Sequence, residues 1–515
     1  MKQLFFSIAS VLALVWLVSC EGRPSAVPTT FTELTDSAVI YPDYRDVTIP
    51  PNIAPLNFMV TDAAASEFVV AMNDLVCGAS ADGKFDIDSV AWRQLLTGAK
   101  GQDIAVAVYG HRESGWVRYQ PYTLHVAEED IDPYVTYRLI EPGYEVYFQL
   151  GIYQRDLTNF DVTTVYENDR SPSNDSHCIN CHQFQNYNTE RMYLHVREGH
   201  KGTVITEGKE AHKIIIKNDS IIASGAYGGW HPTLPLIAFS SNKTAQVFHY
   251  KYPEKIEVYD GESDIILYDA EHNTVRNIIR TPDHFETFPY WSADGTRLYY
   301  CDALLPKFES ENFEASLVMR FDSLHYDLYS LPFDTLTYTF GEPRLEVNAS
   351  AKGLSASVPR PSPDGQYLLF SLATYGQFHL YHRTADLWVK RMGSDQTELP
   401  DQPDTQESSD LYPLTAANDP DQGDSYTCWS SNGRWIIFSS RREDGDFTRS
   451  YIAYFDREGR AHRAFILPQR DPEYNLLLLK SFNVPELTRT PVQMTEEQMN
   501  HVIRHTEAEL ATYEE

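Results

Sequence analysis

Basic residues are scarce in this chain: 42 Lys and Arg stand against 73 Asp and Glu, a formal net charge of −31. A surface of that sign excludes nucleic acid and anionic lipid as partners and suits docking to a basic face of another protein. Cysteine is also scarce, with 6 in 515 residues. Once Cys20, Cys178 and Cys181 are set aside, the other three are scattered, so no disulfide framework is implied. After Cys20 no run is long and apolar enough to span a membrane. G-x-S-x-G, Walker A and H-E-x-x-H are all missing, which removes the common signatures of serine hydrolase, nucleotide and zinc-peptidase chemistry.

Against that background five residues stand out: Cys178-Ile179-Asn180-Cys181-His182. C-x-x-C-H is the spacing at which two thiols bond to the vinyl groups of a haem and the next imidazole ligates its iron. On one helical turn Cys178 and Cys181 would share a face with His182 beside them, and Asp175 or Ser176 would cap that turn. The expected cofactor is one haem c, with Cys178 and Cys181 as thioether anchors and His182 as axial ligand. A redox dithiol and half a zinc site are the competing readings. The first wants a βαβ pattern, and the second a further Cys/His pair where Cys77, Cys301 and Cys428 are isolated. For the distal iron position the candidates are His231 and His195, ahead of His177, Met192, His200, His212 and His249; an open sixth site is the other option. Bis-His or His/Met iron carries electrons, whereas an open site binds small molecules.

The N-terminus supports this chemistry. Met1-Lys2-Gln3 precedes an apolar run from Leu4 to Val18, and Leu17-Val18-Ser19-Cys20 closes it. Such a run is too short for a comfortable span and is flanked like a secretion signal. Its ending resembles the lipobox of bacterial lipoproteins, which implies cleavage before Cys20 and acylation of that thiol; an ordinary signal peptide is the alternative. Either way the chain is expected in the bacterial cell envelope, facing the periplasm, at an inner or outer membrane. That is where c-type haem is attached. Residues 20–45, rich in Pro, Ser and Thr, read as a tether. Residues 46–130 read as a small β-rich domain, a sandwich by its short alternating runs. One helix is expected over Asp86–Leu96, with Ile87, Val90, Leu95 and Leu96 on one face.

Four later segments repeat. Trp230–Phe239, Trp291–Tyr300, Pro361–Phe370 and Trp429–Phe438 each place a turn before a strand of apolar and aromatic residues, with anchors 61 to 70 residues apart. Asp-Gly or Asn-Gly forms three of those turns, and Pro bounds the fourth. The pattern resembles the TolB-like, WD40-like propeller repeats, whose Ser-Pro-Asp-Gly turn Ser362–Gly365 matches outright. That resemblance implies a mainly β fold, a propeller of about six blades (five to eight) over residues 131–490. The excess in the period is assigned to loops, clearest at Ser394–Asp424. Without gaps, Glu190–Leu194 aligns with Thr296–Tyr300, so that Gln185 matches Trp291. An incomplete blade then precedes Cys178, and the haem is expected in an insert at 175–184 between blades. Thr495-x-x-Gln498 opens a C-terminal helix within 491–515, running through Thr512.

Three functional classes follow. The first is an exported, lipid-anchored c-type cytochrome passing electrons to a redox partner protein. A haem enzyme acting on a small oxidant is the second, and a protein-interaction scaffold with structural or no haem is the third.

Overall fold

Short strands with one apolar face must stack sheet on sheet, and repeating the unit around an axis leaves few exposed edges. The computed structural model describes residues 26–141, 149–168, 177–252, 254–307, 317–401 and 409–514. Cys20 with the signal segment, Asp175, Ser176 and part of the Ser394–Asp424 loop lie outside these residues.

Six sheets form the blades of a β-propeller, each a meander of antiparallel strands. Blade 1 takes three strands from the front of the chain, β1 (Tyr134–Ile140), Gly151–Asp156 and Val162–Glu167. Blade 2 follows with its innermost strand β2 (His177–Gln185), then β3 (Asn188–Glu198), Gly202–Glu207 and Glu210–Ile215. Blade 3 has β4 (Gly225–Trp230) innermost, the long pair β5 (Leu236–Phe248) and β6 (Ile256–Asp269), and Thr274–Ile279. The innermost strands of blades 4, 5 and 6 are β7 (His284–Trp291), β8 (Ser355–Pro361) and β9 (Asp424–Trp429). The ring closes where β10 (Ser481–Thr488), from the far end of the chain, pairs antiparallel with β1 and becomes the missing innermost strand of blade 1. The incomplete blade read before Cys178 is therefore completed from the far end of the chain, by pairs running from Tyr134↔Thr488 to Ile140↔Ser481.

Turn chemistry sets the frame. In blades 4, 5 and 6 a serine at the end of the inner strand accepts from the backbone five residues on: Ser292 from Arg297, Ser362 from Tyr367, Ser430 from Trp435, at 2.9–3.0 Å. Gly295, Gly365 and Gly433 complete these turns with φ of +72°, +69° and +67°, where a Cβ is disfavoured. Blade 3 lacks the serine, and His231 replaces it. Its Nδ1 accepts from the Thr233 and Leu234 amides at 3.2 and 3.0 Å.

Several sequence expectations change. Thr32–Ser37 already pairs with Gly115–Gln120, so the tether ends before residue 32 and not at 45. The expected sandwich over 46–130 is one seven-stranded mixed sheet carrying α1 (Ser89–Gly98). Trp92 and Leu96 are its buried residues, and Val90 is exposed. That sheet shares a continuous apolar core with blades 1, 5 and 6, and Trp435 of blade 6 donates to the Glu129 carbonyl at 3.0 Å. The C-terminal helix α2 (Glu496–His505) has the expected capping box but stops short of Thr512. Glu509–Leu510 and Thr512–Tyr513 instead add parallel edges to blades 2 and 3. Among the described residues no helix is long and apolar enough to cross a membrane.

Phe482 on β10 is buried, with its ring 4.7 Å from Tyr137 across the closing ladder. We expect Phe482→Ala to cost about 3–5 kcal/mol, the usual penalty for emptying a buried Phe site. It should be read as a lower urea midpoint at unchanged slope.

Candidate functional site: the propeller axis and the Cys178–His182 strand

Every innermost strand carries a β-bulge, and at each bulge one residue has positive φ: Cys181 (36°), Tyr227 (45°), Phe288 (51°), Val358 (53°), Tyr426 (52°) and Val484 (48°). In five of the six ladders the register shift spans that residue directly, as between Asn180 and His182 on β2. On β10 it lies opposite the shift between Thr136 and Arg138. A bulge adds twist and re-aims the side chain, and here it turns six residues toward the axis. Tyr227 stacks on Phe288 at 4.3 Å, and Tyr426 meets Phe288 at 6.3 Å from the far side. Cys181 is the blade 2 member of this ring, with its sulfur 3.4 Å from the Tyr227 amide.

This placement differs from the sequence expectation in two ways. Residues 177–185 are the innermost strand of blade 2, not a connection between blades, and no helical turn forms there. Structurally Phe184, not Gln185, matches Trp291, because Phe184 pairs with Met192 as Trp291 pairs with Leu298. Blade 2 has one extra residue in its turn, where Asn186 and Tyr187 both have positive φ.

The motif's side chains are buried but divided. Cys178 packs in the apolar layer with Ile152, Val165 and Val196, between blades 1 and 2. Cys181 belongs to the layer with Tyr193, Ala226 and Phe239, between blades 2 and 3. Both thiols are free, and burial pushes the Cys178 thiol pKa up. His182 is 2% exposed, with Nε2 3.4 Å from the Thr136 carbonyl and Nδ1 without a partner. Burial lowers its pKa to about 4, against the pull of that carbonyl, so the ring is neutral at pH 7. A neutral imidazole with an unpaired nitrogen suits an iron ligand. The thiols do not: on this strand they stand in separate layers and cannot both reach one porphyrin edge. Among the described residues no group of three His, Cys, Asp or Glu side chains converges as a metal site.

The distal candidates are occupied or remote. His231 sits at the lower end of β4, where its Nε2 bonds the Gly295 carbonyl at 3.0 Å and its Nδ1 caps the turn described above. His195 lies on β3 directly opposite Asn180, with Nδ1 3.1 Å from the Thr203 hydroxyl. Burial pushes its pKa down to about 3. Of the two, His195 alone adjoins the motif.

Sequence reading missed the residues around the axis. Below the ring of bulges, Arg360 pairs with Glu486 at 3.5 Å and covers the Tyr290 ring at 4.2 Å. Tyr290 and Glu486 border a mouth of about 330 Å³ that Gln183, Trp230 and Arg489 also line. Asp260 on β6, Tyr326, Gln377 and the axial Tyr426 are all buried, each with side-chain oxygens that find no partner. A pattern does run through the sequence: each axial residue lies three before the blade's anchor, as Tyr227 before Trp230, Phe288 before Trp291 and Tyr426 before Trp429.

No family model matches the chain, and no curated protein does. Among solved structures it is similar to a prolyl endopeptidase from a study of two such enzymes, at 8% identity and a TM-score of 0.30, over 65% of this chain and 42% of that one. It is also similar to the GH74 xyloglucanase of Xanthomonas campestris, at 9% identity and a TM-score of 0.31, over 82% and 60%. The chain thus spans less than two thirds of the length of either.

Burial raises the Asp260 pKa from 3.8 to about 7, against the weaker pull of Asn242 and Arg197. The Asn242 amide itself donates to Thr287 at 3.1 Å. The folded protein therefore holds a proton here that the unfolded chain has released. The group favours folding below its unfolded value and loses that contribution as pH rises through the window to about 7, by about 1.4 kcal/mol per pH unit for one proton. Asp260→Asn should accordingly gain stability over the parent at pH 8 and show no such gain near pH 4, measured as urea midpoints across that range.

Proposed function

We propose that this chain is an exported c-type cytochrome, with one haem bonded through Cys178 and Cys181 and His182 as axial ligand, passing electrons to an envelope partner. The observation that carries the reading is the motif itself: two free thiols and one neutral imidazole with an unpaired nitrogen, within five residues. That set supplies two thioether bonds and one iron bond. The secretion signal and lipobox-like Cys20 support it, since they would deliver the chain to the compartment where such haem is attached. His195, one strand away, is the distal residue this arrangement favours over His231.

The reading has a structural consequence. With β2 fully paired to β3, the thiols occupy different layers. A chain bonded to haem must therefore hold residues 177–182 out of that ladder. Completeness of the ladder favours a second reading, a haem-free interaction scaffold in which both cysteines are core residues.

Expression with a cytochrome c maturation system decides between them. We expect a coloured protein whose pigment survives acid-acetone extraction and gives a c-type pyridine haemochrome, lost in the Cys178→Ser, Cys181→Ser double variant. His182→Ala should keep the covalent pigment while moving the Soret band. A colourless matured protein would leave the scaffold.

A further inference from the structure

Two residues past each bulge the chain sets a second ring about the axis: Gln183, Gly229, Tyr290, Arg360, Cys428 and Glu486. Unlike the first ring, it is mostly polar. Arg360 pairs with Glu486 and covers Tyr290, the Cys428 thiol donates to Glu486 at 3.5 Å, and the Gln183 side chain bonds Tyr290.

One residue further on come the anchors, and Phe184, Trp230, Trp291 and Pro361 all line the mouth of about 330 Å³. Every blade contributes to that mouth, from Glu486 on β10 of blade 1 to Ser431 just past β9 of blade 6. Only a space at the end of the axis can touch all six. The result is a cup with flat apolar sides and a polar floor.

Two bonds are missing in this cup. Trp291 and Trp429 give their indole N–H to the carbonyl of a second-ring residue in the preceding blade, Gly229 and Arg360. By the same rule Trp230 should reach the Gln183 carbonyl. Its indole nitrogen has no partner, although Trp230 is only 5% exposed. Gln183 instead accepts from the Trp230 amide through its side-chain oxygen, at 2.8 Å. Glu486, also 5% exposed, has a guanidinium contact of 3.5 Å, longer than a full N–H···O bond, and the weak thiol donor of Cys428. Buried polar groups rarely stay unpaired without water or a ligand.

An unused donor and an under-used acceptor therefore share one cavity. Its lining holds one carboxylate, that of Glu486, and one guanidinium, that of the exposed Arg489, so neither an anion nor a cation is selected. The ligand that fits is uncharged, carries groups that both donate and accept, and has an apolar face to lie on Trp230 and Trp291. Hydroxyls do both, and a sugar ring adds the face. The volume sits near the lower end, about 300 Å³, of small-molecule sites, which suits a mono- or disaccharide.

We propose that this end of the axis is a binding site for a neutral sugar, with hydroxyls bonded to the Trp230 indole N–H and the Glu486 carboxylate and the ring face against the aromatic wall. The thiol pair takes no part, so the proposal does not rest on the haem reading.

Glucose, galactose, mannose and cellobiose are the probes. Sorbitol is the control, since it keeps the hydroxyls and lacks the ring. The chain made without haem-attachment machinery is titrated with each and followed by tryptophan fluorescence. Melting temperature is a second readout, taken against sorbitol because polyols stabilise folded chains in general. At least one sugar should give a saturable change that sorbitol does not. Trp230→Phe keeps an aromatic wall and removes an N–H that bonds nothing in the chain, so it should fold normally and weaken binding about tenfold. Glu486→Gln should weaken it by about as much, through loss of a charge-assisted bond; if that variant misfolds, Trp230→Phe decides alone. Trp429→Phe is the opposite case, because its indole is spent on the Arg360 carbonyl and does not line the mouth. It should lower the melting temperature and leave sugar affinity unchanged. No saturable response to any of these sugars, an equal response to sorbitol, full affinity in Trp230→Phe, or an equal loss in Trp429→Phe would overturn the proposal. A coloured protein that binds no sugar would sink this site and leave the haem reading standing, and a colourless one that binds sugar would do the reverse.

Discussion

The structure depends on one local constraint, an inner strand that must bulge. Six strands converging on an axis cannot all present flat pleats to it, and in each blade one residue takes a left-handed backbone to turn its side chain inward. For a non-glycine residue that conformation costs roughly 1–2 kcal/mol. Stacking and burial offset it: Tyr227, Phe288 and Tyr426 form an aromatic plug, and Val358 and Val484 complete the wall. Cys181 is the smallest member, with a polarizable thiol beside the rings that blades 3, 4 and 6 carry.

The same spacing rule organises the two ends of the molecule. Three residues after the bulge comes the anchor, and one after that comes the turn acceptor, a serine in blades 4, 5 and 6. Where His231 takes that place, its second ring nitrogen reaches Gly295 of the next blade, and a Cβ there would lie 2.3 Å from it. A residue that reads as a metal ligand in isolation is thus a turn cap that also ties blade 3 to blade 4. Trp230 beside it shows the cost of the altered turn. Trp291 and Trp429 donate their indole N–H to Gly229 and Arg360 carbonyls, whereas the Trp230 nitrogen finds no acceptor.

Much of the fold was legible because propeller repeats state their chemistry locally. Ser362–Gly365 dictates its turn, Tyr367–Phe370 its strand, and the count of such units gave about six blades. Long-range closure was not legible, because nothing in Ser481–Thr488 says that its partner is Tyr134–Ile140. The candidate site was legible as chemistry and misread as geometry. Cysteines at i and i+3 share a face on a helix; on a strand, where successive side chains alternate, they part into two layers. His182 was found by its motif, while the buried and unpartnered Asp260 was not, because its burial arises only when the long hairpin of blade 3 packs in the ring.

Those two levels of reading meet at β2. A strand paired on one side and open on the axial side is held by a single ladder, that with β3, and by packing on each face. Burying two cysteines there contributes little that valine would not. His182 beside them is neutral and half-partnered, whereas His231 is committed on both nitrogens and could not change its bonds without losing a turn.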